Sequence, residues 1–351
     1  MSTYFLYVGT YDKGIYGYRF NADTGALDPM GVVAKIASPS FLASDHEYRH
    51  LYAVSEAEQG DGAVASFAIN RETGALTAIN SLSSAGTLPC HLAVDHTGKL
   101  LMAANYGSGS VPVFPLGTDG KLGAMSKLLT AEGSSVNHER QQGPHAHQTV
   151  ISADNKFLYV PDLGLDRIRI YRLDPAALKV TPNDPPFAKQ EAGYGPRHMV
   201  LSPDGKFVYV VNELKSFVTV FSRNASNGAL EAIQKAPTLP EGYSGENAPA
   251  EILIDRAGKH IYASNRGAGS IAVLSIDSAT GKLTQVQVAD VGGSTPRGVE
   301  IDPGGKLLFA GDQKGNRFVT FTIDPSSGKL TLTGHSYELP TPVAFYFVPA
   351  K

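Results

Sequence analysis

The chain has 351 residues, one cysteine and a formal net charge of −3, and 18% of its residues are charged. A hydrophobic fraction of 42% supplies a large core, which excludes a disordered chain. The balanced charge contains no block of Lys or Arg and argues against nucleic-acid and membrane partners. One cysteine excludes an internal disulfide and a CxxC metal site. The N-terminus lacks the basic segment of a secretory signal, so we expect a cytoplasmic protein.

Short runs rich in Val, Phe and Tyr follow one another along the chain, from residues 4–8 and 14–20 to residues 343–348. Turns that contain Asp or Asn, then Gly, and then Leu separate these runs at a spacing of about 50 residues or twice that. Their glycines are Gly25, Gly74, Gly120, Gly228, Gly281 and Gly328. Four strands per repeat of this length are typical of a propeller blade. The sequence therefore predicts an all-β, seven-bladed β-propeller with four antiparallel strands per blade, in a single domain over residues 1–351.

The first strand of each unit gives the count of seven blades. These strands are expected to begin near Ser40, Cys90, His145, Arg197, Ala250, Arg297 and Val343. The last unit retains one strand, and the N-terminus supplies three, so we expect a closing blade built from one C-terminal and three N-terminal strands. This closure pairs both terminal strands and leaves only short blade edges. Two unrelated β-sandwiches are the alternative, and the regular repeat argues against them.

Polar loops precede the first strands and join the second strands to the third, and in a propeller these loops share one face. Loops on a rigid scaffold commonly carry function. We expect this face to collect His145, Arg197, Glu213, Arg266 and Arg297, together with Glu56, His91, Asn105, His147, His198 and Gln313. Residues 131–143 form a long polar segment that is predicted either to cover the channel mouth or to form a disordered tip.

The collected side chains have the chemistry needed to open or close a lactone on an anionic substrate. Arginine donates paired hydrogen bonds to a carboxylate or phosphate. A histidine or glutamate beside it can act as a general base or acid.

Several of these residues also have a structural interpretation. Strand alternation sends Arg197 and His198 in opposite directions, so one of them can lie between blades. In the structural interpretation, the one role of Glu213 is to pair with an arginine, and the Gly-rich segment that begins at Asn105 is a plain loop. The imidazoles of residues 145 and 147 point the same way, but no further metal-ligand motif accompanies them, so no metal is expected.

Three motifs resemble the seven-bladed propeller lactonase family, namely residues 195–199, 203–205 and 211–214. This family includes bacterial propeller-type 6-phosphogluconolactonases and is related to the fungal carboxy-cis,cis-muconate lactonising enzyme. Further matching segments are residues 7–11, 104–111, 143–145 and 295–298. By motif, the resemblance implies catalysis by His145, Arg197 and Glu213, and Arg266 matches a further family arginine.

The expected function is hydrolysis of a small anionic sugar-acid lactone, 6-phosphogluconolactone in the pentose phosphate pathway, with no metal or other cofactor. Water would be activated by His145 or Glu213. The residues expected to contact substrate are Arg266, Arg297, His198, His147, Asn105 and Gln313. The alternatives are a muconate-type cycloisomerase and a non-enzymatic binding platform. We expect a monomer or a weak oligomer.

Overall fold

The computed structural model describes residues 2–57 and 60–351, and all regular secondary structure in these ranges is β-strand. The strands form seven sheets of four antiparallel strands, which we number as blades 1 to 7 in the order of their first residues. The seven-bladed propeller predicted from the repeats is confirmed. Within the described ranges there is no helix of the length and apolarity that a membrane crossing requires.

The strand bounds of the first four blades are as follows. Blade 1 contains β1 (Thr3–Thr10), β2 (Gly14–Asn21), β3 (Leu27–Lys35) and, from the end of the chain, β28 (Pro342–Pro349). Blade 2 contains β4 (Leu42–Ser44), β5 (His50–Ser55), β6 (Ala63–Ile69) and β7 (Leu76–Ser83). Blade 3 contains β8 (Pro89–Val94), β9 (Leu100–Asn105), β10 (Val111–Pro115) and β11 (Lys127–Leu129). Blade 4 contains β12 (Val150–Ile151), β13 (Phe157–Asp162), β14 (Arg167–Asp174) and β15 (Lys179–Lys189).

The strands of the remaining three blades each contain six to nine residues. Blade 5 contains β16 (Pro196–Leu201), β17 (Phe207–Asn212), β18 (Phe217–Arg223) and β19 (Leu230–Pro237). Blade 6 contains β20 (Ala248–Ile254), β21 (His260–Arg266), β22 (Ser270–Ile276) and β23 (Leu283–Asp290). Blade 7 contains β24 (Pro296–Ile301), β25 (Leu307–Asp312), β26 (Arg317–Ile323) and β27 (Leu330–Glu338).

The ring closes through blade 1, as the sequence predicts. The C-terminal strand β28 pairs antiparallel with β1, with Phe345 opposite Val8, and β2 and β3 complete the sheet. The innermost strand is β28 in blade 1 and the first strand in each of the other blades, and β24, β28 and β4 pack beside one another around the central channel. Both chain ends are therefore held by hydrogen-bonded strands, which removes a long exposed sheet edge.

Apolar side chains fill the space between adjacent blades, and a repeated tyrosine contact joins the blades. A tyrosine on an inner strand donates to the carbonyl of the Gly turn in the next blade at 3.0 Å: Tyr7 to Gly74, Tyr159 to Gly228, and Tyr262 to Gly328. At Gly74 the φ angle is +78°, and a Cβ there would lie 2.5 Å from the Phe5 ring. The turn glycines that reveal the repeat are therefore required by backbone conformation and by blade packing.

Blade 4 departs from the pattern at its first strand. We expected this strand to begin near His145, but β12 begins at Val150, and before it only an isolated bridge joins Ala146 to Asp162. The backbone N–H of His145 donates to the Asp162 carboxylate at 2.8 Å instead of to a neighbouring strand. The segment that carries His145 and His147 is consequently a loop on the inner face of the ring.

Candidate active site

Backbone hydrogen bonds bring the two sets of polar loops onto one face. The residue after the second strand of a blade donates to the loop that precedes its first strand: Glu56 to Ser38 at 3.0 Å, Glu213 to Gly195 at 2.8 Å, and Gln313 to Thr295 at 3.0 Å. Because the contact recurs from blade to blade, each blade delivers one side chain from each loop to the same end of the channel. This arrangement is the one expected from the sequence.

A cavity of about 1030 Å³ opens at this end of the ring. The residues that line it are Tyr11, Ala37, Ser38, Glu56, Ala57, Leu88, Cys90, Tyr106, Arg140, His147, Glu213, Arg266, Arg297 and Gln313. Six of the residues that the sequence assigned to this face are in this group: Glu56, His147, Glu213, Arg266, Arg297 and Gln313.

β-Bulges at the starts of first strands aim several side chains at the cavity region. In blade 5, Pro196 pairs with Asn212 and His198 pairs with Val211, so Arg197 is the extra residue. Cys90 and Arg297 occupy the equivalent bulge positions of blades 3 and 7. A bulge re-aims its side chain and breaks strict alternation. The proline before each bulge residue is the sequence signal, since proline in sheets is confined to strand starts, edges and bulges.

Glu213 is held by three guanidinium groups. Its Oε1 accepts a hydrogen bond from Arg140 at 2.6 Å, and its Oε2 lies 2.9 Å from both Arg197 Nε and Arg266 Nη2. Burial alone would raise the pKa of Glu213. The charges of Arg266, Arg197 and Arg140 outweigh burial and hold this pKa well below its usual range. Glu213 is therefore ionised and a weak base, and it fixes the positions of the arginines around it.

The three arginines differ in exposure. The Arg197 side chain is 3% exposed and also donates to the carbonyl of Ala250 at 2.7 Å, so it lies behind Glu213 and does not line the cavity. Arg266 is 15% exposed, and burial lowers its pKa to about 10, which leaves it charged at neutral pH. Arg140 is 40% exposed and also donates to the hydroxyl of Tyr106 at 3.1 Å.

A second polar group lines the cavity on the side of blades 1, 2 and 7. The Tyr11 hydroxyl donates to Oε2 of Glu56 at 2.9 Å, and Ser40 Oγ donates to the same oxygen. The guanidinium of Arg297 lies over the Tyr11 ring, 5.2 Å from its centroid. Within residues 2–57 and 60–351, Arg297 makes no ion pair, so its hydrogen-bond donors are available to an anionic ligand.

The two histidines of the blade 4 loop lie against Tyr106. Nδ1 of His145 donates to the Tyr106 carbonyl at 2.8 Å, and the two rings stack with centroids 4.7 Å apart. This hydrogen bond fixes the tautomer and leaves the lone pair of His145 on Nε2. His147 lines the cavity with its Nδ1 3.6 Å from the Cys90 sulfur, and burial, with the nearby charge of Arg197, lowers its pKa well below the ordinary value.

Five residues of the predicted set lie outside the cavity wall: Arg197, His145, His91, Asn105 and His198. His198 is buried in the channel below, with Nδ1 2.7 Å from Oε1 of Glu251, and His91 lies beside it at 5.4 Å between ring centroids. Asn105 is fully buried, and its amide donates to Ser84 O at 2.9 Å and to Ser110 Oγ at 3.0 Å. The structure thus gives Asn105 a role in the packing of its own loop and does not place it at the cavity.

Arg140 and Tyr11 line the cavity and were missed by the sequence analysis. Arg140 belongs to the 131–143 segment, which contributes this one residue to the cavity wall and contains local hydrogen bonds of Asn137 and Gln141. Nothing in the local sequence pattern of this loop indicates which of its polar residues reaches Glu213. Among the described residues, no three His, Cys, Asp or Glu side chains converge as a metal site would require.

Comparison with known proteins identifies the family. A family model described as "Lactonase, 7-bladed beta-propeller" matches residues 5–347. The chain belongs to this lactonase family. It is 32% identical over 298 residues to the 6-phosphogluconolactonase of Bacillus subtilis, a match that covers 84% of each chain. It is also 31% identical over 287 residues to the 6-phosphogluconolactonase of Formosa agariphila, over 79% of this chain and 80% of that one.

A solved structure confirms the fold over the full length of the chain. The structure of the Pseudomonas aeruginosa periplasmic gluconolactonase superposes on this chain with a TM-score of 0.94 and 31% sequence identity, covering 100% of both chains. The names of these relatives differ in the substrate, since one group is named for a phosphorylated lactone and the other for gluconolactone.

Proposed function

We propose that this protein hydrolyses 6-phosphogluconolactone to 6-phosphogluconate. The observation that carries the substrate choice is the charge at the cavity. Four guanidiniums, those of Arg140, Arg197, Arg266 and Arg297, stand against the carboxylates of Glu56 and Glu213. These six groups together carry a net charge of at least +2, which matches a phosphate ester carrying about −1.5 to −2 at pH 7. Gluconolactone itself is neutral and would leave that charge uncompensated.

In this proposal the arginines contact different parts of the substrate. Arg297, which forms no ion pair among the described residues, binds the phosphate, since guanidinium is well matched to phosphate oxygens. Arg266 lies at the cavity wall with Glu213 and is placed to stabilise the oxyanion that forms on the lactone carbonyl. Glu213, itself paired with the buried Arg197, fixes the position of Arg266.

His145 is the group that we assign to water activation. Its Nδ1–H is committed to the Tyr106 carbonyl, so Nε2 has a free lone pair that can accept a proton from water. Glu213 is poorly suited to this step because three arginines make it a weak base. We therefore choose His145 over Glu213 as the base.

A cytoplasmic location and a place in the pentose phosphate pathway belong to the same proposal. A phosphate ester does not cross a bilayer unaided, because charge in hydrocarbon is costly. The Pseudomonas relative is named periplasmic and is named for an unphosphorylated lactone. Cell fractionation with an antibody to this chain would test the location.

The test of the function is the hydrolysis of two lactones by the purified protein. Initial rates with 6-phosphogluconolactone and with gluconolactone are measured at low salt, and spontaneous hydrolysis is subtracted for each. We expect kcat/KM for the phosphorylated lactone to be at least tenfold higher. Equal values, or a preference for gluconolactone, would reject the phosphorylated substrate. Loss of ultraviolet absorbance from a carboxymuconate without uptake of water would point to the cycloisomerase instead.

A further inference from the structure

The two carboxylates that line the cavity have opposite surroundings. Glu213 follows β17 in blade 5 and is paired with three guanidiniums. Glu56 follows β5 in blade 2, three blades away around the ring, and its hydrogen-bond donors are the neutral hydroxyls of Tyr11 and Ser40. When the surroundings shift the pKa values of two titratable groups of one site in opposite directions, the two groups take different roles in proton transfer.

The hydrogen bonds at Glu56 are unevenly shared between its two oxygens. Both hydroxyl donors bond to Oε2, and within residues 2–57 and 60–351 Oε1 accepts no hydrogen bond. In a carboxylic acid one oxygen accepts while the other carries the proton, so Oε1 is the oxygen able to hold a proton for a ligand in the cavity.

Burial favours the neutral form of Glu56. Burial raises the pKa of Glu56, and the charges of Arg297 and Arg197 and the hydroxyl bonds oppose this without reversing it. The other titratable groups that act electrostatically with Glu56 are Tyr11 and Cys90, and burial raises the pKa of both, so neither carries a charge at neutral pH.

We propose that Glu56 is the general acid that protonates the leaving ring oxygen of the lactone. The inference rests on the proposed lactonase function, because ring opening of a lactone expels an alkoxide. His145 takes a proton from water as the water oxygen bonds to the carbonyl carbon. The bond from that carbon to the ring oxygen then breaks, and the electron pair left on the ring oxygen accepts the proton from Oε1 of Glu56. The product carboxylic acid returns a proton to Glu56, and His145 releases its proton to solvent.

The first test compares the wild-type protein with Glu56→Gln and with Glu72→Gln as a matched control. Glu72 is exposed in the turn between β6 and β7 of the same blade. A general acid contributes roughly 10²- to 10⁴-fold, so kcat of Glu56→Gln on 6-phosphogluconolactone should fall by that factor while KM changes little. The Glu72→Gln protein should match the wild type. An unchanged kcat in Glu56→Gln would overturn the proposal, while an inactive wild type would instead reject the proposed function.

The second test separates proton donation from a structural role. δ-Valerolactone expels an alkoxide, whose conjugate acid has a pKa near that of water, about 16, whereas dihydrocoumarin expels a phenolate, whose conjugate acid has a pKa of about 10. A phenolate leaves without a proton donor, so Glu56→Gln should lose about 10²-fold or more in kcat/KM on δ-valerolactone and less than about tenfold on dihydrocoumarin. Equal losses on both lactones would show that Glu56 only supports the fold or binds substrate.

The pH profile gives a third readout. The wild-type kcat/KM should fall on the alkaline side as Glu56 ionises, and Glu56→Gln should lack this alkaline limb. In Ser40→Ala the carboxylate loses a donor that stabilises its ionised form, so the pKa of Glu56 rises and the limb moves to higher pH. An alkaline limb that is the same in all three proteins would contradict the assignment.

Discussion

Replacement of Arg297 by alanine tests the proposed phosphate contact. Arg297 lies at the cavity, over Tyr11, and has no ion-pair partner among the described residues. Its loss removes one of at least two excess positive charges. A hydrogen bond to a charged group contributes about 1.5–3 kcal/mol, which corresponds to a change of about 10- to 150-fold in binding. We therefore expect Arg297→Ala to raise KM for 6-phosphogluconolactone by about 10- to 150-fold.

The assay compares steady-state kinetics on phosphorylated and unphosphorylated gluconolactone. For gluconolactone the same substitution should change KM by less than about threefold, because that substrate brings no phosphate to the site. Arg256→Ala is the matched control, because Arg256 is exposed in the turn between β20 and β21, which lies on the opposite face of the ring. An equal loss on both lactones would refute the reasoning, since it would show that Arg297 supports the cavity wall and does not select phosphate.

Three further predictions follow from the buried groups. Glu213→Gln should destabilise the protein by about 3–5 kcal/mol in denaturant unfolding, because it removes the ion-pair partner of the buried Arg197, and a loss below 1 kcal/mol would contradict this. Cys90→Ala should keep kcat within about twofold, because burial raises the pKa of the thiol and prevents it from acting as a nucleophile; a loss above tenfold would contradict this. Burial raises the pKa of Glu251 to about 7 and that of Glu300 to about 8. Each carboxyl group therefore contributes most to the stability of the folded state at low pH, where it is protonated. Stability should fall by up to about 1.4 kcal/mol per pH unit per carboxyl as pH rises above about 4.5, until about pH 7 for Glu251 and about pH 8 for Glu300, and an unchanged slope in Glu300→Gln would contradict this.

The fold could be predicted because each repeat carries its own turn. The glycines at positions such as Gly74 are needed for a left-handed backbone and for packing against the neighbouring blade, so the repeat is visible in one sequence. The exception is blade 4, where the chain at His145 bonds to the Asp162 side chain and delays the first strand to Val150. A side-chain contact of this kind leaves no trace in strand periodicity.

The candidate site could be predicted in part. Loop position correctly brought Glu213, Arg266 and Arg297 to one cavity, because the blade repeat fixes which loops share a face. Whether a loop residue points into the cavity or into its own blade depends on bulges and on local hydrogen bonds, as the buried amide of Asn105 shows. The contribution of Arg140 depends on the path of a long loop with no repeat to guide it.

The central claim is that the cavity binds a phosphorylated sugar acid through Arg297, which forms no ion pair among the described residues. A crystal structure of the protein with 6-phosphogluconate tests it most directly. The account predicts the phosphate within hydrogen-bond distance of Arg297, and the carboxylate of the product between Arg266 and Glu56. A phosphate bound elsewhere on the molecule, or a sugar acid in the cavity with its phosphate turned away from Arg297 into solvent, would contradict it.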